Sequence, residues 1–217
     1  MLLALVVAAV AAALTLGALD RWGPRQPPIL LQRGESPDAA RAFLGQWRRS
    51  RLATWAIDAS FERHTARGTT VTATAHRAQA PPDRVATGFG SVEAVVGGYH
   101  LDCSTDASGA QHCTRGQRAQ PYGSEVDAEL TVLRTYVLGA PPLYAVREET
   151  PGCYRLRLVI AHYVSPPYGQ VATFCWDRVT HAPVRSEIHR AEGADLTVTS
   201  AIRSRPTTAD LTVPGAP

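Results

Sequence analysis

The 217-residue chain has no lysine, and all 22 of its basic side chains are arginine. Together with the abundance of Ala, Arg, Gly and Pro, this points to a GC-rich coding genome and weakens any reading of arginine as chemistry. The arginines are scattered and the formal net charge is only +3. No stripe suited to tracking phosphates forms, so no nucleic-acid partner is expected. Catalytic motifs are missing too. Gly90-Ser91 and Gly123-Ser124 lack the second glycine of a G-x-S-x-G elbow. The piece Gly88-Phe-Gly-Ser-Val has neither a Walker lysine nor a following helix. No C-x-x-C exists, and His112-Cys113 offers no zinc-ligand spacing, so no metal is expected. Asp58 and Glu62 sit four apart on the outward face of an expected strand, about 13 Å from end to end, too far for glycosidase geometry. Nothing reads as an enzyme, and no cofactor is implied.

What the chain does have begins at its N-terminus. From Leu2 to Leu19 it is apolar with Thr15 as the only polar side chain, and Asp20 and Arg21 close the run. As a helix these residues cover roughly 27 Å, near the short limit for crossing a membrane core of about 30 Å. The segment reads as a retained anchor, a cleaved signal peptide or, third in rank, a buried core helix. Only the α-amino group supplies positive charge ahead of it, and Leu16-Gly17-Ala18 is a poor small-x-small site. No cysteine lies near its end to accept a lipid.

Arg21, Arg25 and Arg33 alone would favour a cytoplasmic C-terminal side. The cysteines argue the other way. Cys103, Cys113, Cys153 and Cys175 allow three pairings, of which the sequential one closes two short loops. Disulfides place the domain in an oxidising, extracytoplasmic space. A catalytic cysteine would need a free thiolate, and four pairable cysteines leave none over.

With 45% apolar and 19% charged residues, the remainder can build one sizeable core. Residues 1–21 are the membrane or signal segment, 22–35 a proline-rich linker and 36–217 the domain. Prolines in the linker prevent a continuous helix leaving the membrane. At up to roughly 3.5 Å per residue, its fourteen or so residues give a reach of about 50 Å.

Ser36-Pro37-Asp38 supplies an N-cap, a first-turn proline and an acidic first turn, with Phe43, Leu44 and Trp47 behind it, predicting a helix over 37–49. Trp55, Ile57, Ala59 and Phe61 then alternate with polar residues, predicting a half-buried strand. Further strands are expected at 70–78, 83–89, 91–96 and 98–103. Ser124-Glu125-Val126-Asp127 reads as a capping box opening a second helix with the stripe Val126, Leu130, Leu133 and Val137, stopped by Gly139 and Pro141-Pro142. Alternation resumes over Tyr154–Ile160, then 170–177, 183–190 and 195–203. The seven histidines, at 64, 76, 100, 112, 162, 181 and 189, read mostly as solvated strand faces.

Several further pieces carry a resemblance: Phe43-x-x-x-Trp47, Phe61-Glu-Arg, Gln79-Ala-Pro-Pro-Asp-Arg-Val, Gly88-Phe-Gly-Ser-Val, Pro166-Pro-Tyr-Gly169, Phe174-Cys-Trp-Asp177 leading into Thr180-His-Ala-Pro, and Thr208-Ala-Asp-Leu-Thr-Val-Pro214. Through them the chain resembles the LolA/LppX/RseB-like superfamily of extracytoplasmic half-barrels, over most of residues 36–214. The resemblance implies an α+β fold in which a strongly curved antiparallel sheet, a half-open barrel, wraps two or three helices around an apolar cavity. It also implies a carrier or sensor of lipid, acyl chains or lipidated protein. The residues expected to line the cavity are Trp55, Ile57, Phe61, Val85, Phe89, Leu130, Leu133, Leu156, Leu158, Phe174 and Trp176. Expected partners are a membrane through residues 2–19 and an apolar ligand or lipidated protein. The alternative is a regulatory module binding another envelope protein through its sheet or loops.

Overall fold

The computed structural model describes residues 30–88, 91–105, 111–160 and 165–213. The chain divides into two units, residues 1–30 and 31–217, and the secondary structure that follows belongs to the second. No helix among the described residues is long and apolar enough to cross a membrane. The segment 2–19 lies outside them.

Helix α1 runs Pro37–Leu52. Ser36 caps it, its Oγ accepting the Ala39 N–H at 3.1 Å, with Pro37 in the first turn and Asp38 favourable at the positive end of the helix dipole. It continues three residues past the predicted end because Arg49 and Arg51 suit the last turn and side chains from the sheet take its final carbonyls. Helix α2 runs Tyr122–Leu138, buries Val126, Leu130, Leu133 and Val137, and stops where Gly139 N–H bonds the Thr135 carbonyl. Its start corrects the sequence reading: Pro121 holds the cap position with no side-chain bond, and Ser124 lies inside the first turn with its N–H donating to the Pro121 carbonyl. Packing of the buried Tyr122 ring sets the start, and the expected Ser124 capping box does not form.

Eleven strands form one open sheet: β1 (Trp55–Thr65), β2 (Thr70–Ala80), β3 (Asp83–Gly88), β4 (Ser91–Val96), β5 (Tyr99–Thr105), β6 (Gln111–Arg118), β7 (Tyr144–Thr150), β8 (Cys153–Leu158), β9 (Val171–Trp176), β10 (Pro183–Arg190) and β11 (Gly193–Arg203). The order is β6-β5-β4-β3-β2-β1-β11-β10-β9-β8-β7, antiparallel throughout. With α1 and α2 this is an antiparallel α+β fold. Strands β6 and β7 were not expected from sequence. Both are edge strands paired on one side, so neither needs full alternation. In β6 Cys113 alone is fully buried, and in β7 only the first three residues are.

Strands β5 and β9 stand seven places apart in this order, about 34 Å at the usual strand spacing if the sheet were flat. Residues from both line one cavity, so the sheet is curved. Register then decides which side chains face inward. In the arm β7–β10 the inward face carries Tyr144, Val146, Tyr154, Leu156, Ala172, Phe174 and Trp176, packed with Phe43 and Leu44 of α1 and the stripe of α2 as the main core. In the arm β2–β5 the inward face carries Arg77, Gln79, Arg84, Ala86, Glu93, Val95, His100 and Asp102. That this face looks toward the helices follows from Gln79 bonding α1 and Arg84 bonding α2. Here the apolar residues Val85 and Ala94 turn outward and pack with Cys113 of β6 and Val213 of the C-terminal segment.

Two disulfides, Cys103–Cys113 and Cys153–Cys175, join register partners across β5–β6 and β8–β9. The C-terminal segment, with a 3-10 turn at Ala209–Leu211, docks by its Asp210 to Arg203 and His76.

Candidate functional site

Between the helices and the two arms of the sheet lies a cavity of about 1420 Å³, larger than the roughly 300–1,000 Å³ usual for small-molecule sites. One wall is aromatic. Trp47 of α1 meets Phe174 and Trp176 of β9 at ring-centre distances of 5.5 and 5.8 Å in edge-to-face contact, and Trp55 of β1 adjoins them on the same cavity. Two of the indole N–H groups are satisfied: Trp47 Nε1 donates to Glu129 Oε1 at 3.0 Å and Trp55 Nε1 to the Ser50 carbonyl at 3.1 Å. These two rings therefore present apolar surface with no unmet donor.

The base of the cavity is a polar network joining α1, α2 and β3. Arg84 donates to both carboxylate oxygens of Glu125 at 2.7 and 2.9 Å, and Arg51 Nε lies 2.9 Å from Glu129 Oε2. The Arg51 and Arg84 guanidinium groups lie 5.6 and 5.3 Å from the Tyr122 ring centre. Burial raises the Tyr122 phenol above its ordinary pKa, so it remains a donor, and its hydroxyl bonds the Arg51 carbonyl at 2.5 Å. Gln79 Nε2 lies within 3.1 Å of the Ser50, Arg51 and Ala53 carbonyls and closes the end of α1. Nearer solvent the lining includes the exposed side chains Arg77, Glu93, His100 and Asp102.

The residues expected to line the cavity are divided by the structure. Trp55, Phe174 and Trp176 line it. Val85 borders it, but register turns its side chain to the outer face. Ile57 packs with Trp55 and Ala182 in a separate cluster. Leu130, Leu133 and Leu156 are fully inside the main core, with Leu158 half-buried against it. Phe61 is half-buried, with the Arg63 guanidinium 5.8 Å from its ring centre. Phe89 lies outside the described residues. Sequence reasoning missed Trp47, Ser50, Arg77, Gln79, Glu93 and Asp102. The signal for Arg77 and Gln79 was their alternation with His76 and Ala78, which reads equally well as a solvated face.

Away from the cavity, His76 stands between Asp58 (Nδ1 to Oδ1, 2.8 Å) and Asp210 (Nε2 to Oδ1, 3.4 Å). Glu35, in the predicted linker, is buried and accepts two 2.7 Å bonds from Arg157, which holds its carboxyl below the usual range despite desolvation. His64 and His189 pair with Glu62 and Glu187 on exposed strand surface, and His162 lies outside the described residues. Among the described residues no group of His, Cys, Asp and Glu is arranged to hold a metal ion.

No family model and no curated protein matches the chain. Its fold has neighbours among solved structures. These include the Pseudomonas aeruginosa MucA/MucB complex (13% identity, TM-score 0.47, over 81% of this chain and 61% of that one). LprF from Mycobacterium bovis is another (11% identity, TM-score 0.40, 83% and 99%). A third is the LolA superfamily protein NE2245 from Nitrosomonas europaea (8% identity, TM-score 0.33, 80% and 97%). The chain spans about three fifths of the length of the MucB chains it matches.

Proposed function

We propose that the chain is a non-enzymatic, extracytoplasmic binding protein of half-barrel form that takes a lipid, an acyl chain or the lipidated part of a protein into the cavity between its sheet and helices. The observation that carries this reading is a cavity of about 1420 Å³ with an aromatic wall of Trp47, Trp55, Phe174 and Trp176. With their N–H groups already bonded, the Trp47 and Trp55 indoles offer a guest apolar contact and nothing else. Burying a methylene there contributes about 0.8 kcal/mol, so a chain of ten or so gains enough to offset the freedom it loses. Two disulfides between register partners suit an oxidising compartment. In this reading residues 2–19 tether the domain and the linker limits it to receiving or sensing at its own membrane.

Native mass spectrometry of the full chain purified without detergent is expected to find co-purified lipid. A ligand-free spectrum, together with no uptake of added fatty-acyl probe, would sink the proposal. N-terminal sequencing of the mature protein tests the tether: retention of residues 2–19 supports it, and a start beyond Leu19 removes it.

A further inference from the structure

We propose that His76 is a pH-sensitive latch on the outer face of the sheet: its imidazolium fastens the C-terminal segment over the apolar residues of β3 and β4, and its neutral ring loosens that cover. The device is separate from the cavity and does not depend on what the cavity holds.

The ring stands between two carboxylates. Nδ1 lies 2.8 Å from Oδ1 of Asp58, its register partner on β1, and Nε2 lies 3.4 Å from Oδ1 of Asp210 in the C-terminal segment. A neutral imidazole carries one N–H, so it donates to one carboxylate and turns a bare lone pair on the other. The shorter contact takes the proton at Nδ1, which leaves Nε2 facing Asp210. That nitrogen is shut off from solvent and has no hydrogen-bond partner among the described residues, so bulk water does not relieve it. Only the imidazolium offers an N–H to each side.

The surrounding charge favours the same state. Arg203 of β11 bonds both carboxylates, Asp58 at 2.7 Å and Asp210 at 2.8 Å, and β3 contributes the uncharged Thr87 beside His76. Two carboxylates and one guanidinium leave a net negative charge while His76 is neutral and none once it is protonated. Both acids stay ionised meanwhile. Despite burial, the bonds from Thr207 and Arg203 hold Asp210 at about 2, and Arg203, then His76, keep Asp58 below the usual carboxylate range. Histidine is therefore the member of this group that changes charge between about pH 5 and pH 8.

The position of Asp210 turns this local event into a movement of the cover. Its other partners are Thr207, in the segment itself, and Arg203, at the end of the strand leading into it. Among the contacts of Asp210, that from His76 alone comes from a strand beneath the segment. The 3-10 turn packs on β2 and β3, and Val213 follows it onto Val85, Ala94 and Cys113. A contribution made by protonated histidine is complete at acid pH and is lost as pH rises through the titration. The cover is thus held most firmly near pH 5 and loosens toward pH 8, baring Val85 and Ala94 with the half-buried Val92 and Leu101.

Hydrogen exchange of the full chain in nanodiscs of zwitterionic lipid tests this, with each rate divided by the intrinsic rate at that pH. From about pH 5 to pH 8, protection at Val85 and Ala94 is expected to fall about threefold, the size of a partly screened ion pair. Protection at Leu133 and Leu156 in the main core stays constant. His76→Gln, at a partly exposed position where the fold is retained, makes Val85 and Ala94 insensitive to pH over this range, because glutamine does not titrate. The ring 15N shifts of His76 move with the same midpoint as the protection. Protection that is flat with pH in the native chain, a fall that survives in His76→Gln, or a ring midpoint that differs from that of the protection overturns the proposal.

Discussion

The two arms of the sheet use the same alternating pattern for opposite ends. In β7–β10 the apolar residues of each strand face the helices and close a solid core around Phe43, Tyr144, Leu133 and Leu156, all under 2% exposed. In β2–β5 most of the apolar residues face away from the helices, and mainly polar and charged side chains, with Ala86 and Val95, line the cavity. One arm is thereby a packed scaffold and the other a wall that stays open. Its outward apolar face is covered in part by the C-terminal segment, with Val213 on Val85, Ala94 and Cys113. A concave surface can stay unfilled when the residues that would drive its collapse point the other way.

The contrast breaks most visibly under substitution. Phe43→Ala removes a ring in contact with Trp47, Tyr154, Phe174 and Trp176 and is expected to cost about 3–5 kcal/mol. Arg77→Ala, on the open wall, should stay within about 0.5 kcal/mol. Chemical denaturation of the two variants checks this, and comparable losses would mean that the open arm is as much a core as the other. The disulfides come next. Replacing Cys103 and Cys113 by Ala releases a loop of separation 10, worth about 3 kcal/mol on the chain-entropy account. Because that pair staples the edge hairpin β5–β6, hydrogen exchange should quicken there first. Losing Cys153–Cys175 should instead quicken exchange through the helical core, since β8 and β9 both supply its residues.

Much of the architecture was legible in the sequence for reasons the structure makes plain. Ser36 caps because its side chain reaches a free N–H of the first turn, and that arrangement is local. The stripe on α2 and the strand periods of β1, β8 and β10 were local as well. What was not legible depends on partners outside the segment itself. Strand β6 has no apolar rhythm and exists because β5 pairs with it. Helix α2 begins at Tyr122 because Arg51 and Arg84 lie close to its ring, not because Ser124 caps it. For the site, Trp55, Phe174 and Trp176 could be found because aromatic residues on a strand seek cover. Val85 could not be assigned a face, because alternation specifies two faces without saying which one the helices occupy. Gln79 looked like a solvated polar residue until the end of α1 arrived above it.

The smallest effect expected concerns the cover on the outward face of the open arm. Burial pushes the Asp210 carboxyl upward, yet the Thr207 backbone N–H at 2.7 Å, the Thr207 hydroxyl at 2.8 Å and Arg203 at 2.8 Å outweigh it and hold the group at about 2. Arg203, and after it His76, lowers Asp58 in the same way, though that carboxylate is 46% exposed and more strongly screened. A carboxyl depressed in the folded state contributes stability that is complete above its unfolded pKa, near 4, and is lost as pH falls through the folded value. The window is therefore about pH 4 down to about pH 2. After discounting for the 36% exposure of Arg203, the Asp210 share is about 1–2 kcal/mol. Urea midpoints at pH 6 and pH 2.5 should fall for the native chain by more than for Asp210→Asn, which has already lost this contribution. Amide exchange near Val85 and Ala94 should quicken over the same window while exchange at Leu133 and Leu156 does not. If both regions respond together, the C-terminal segment is part of the core and not a separate cover on the open arm.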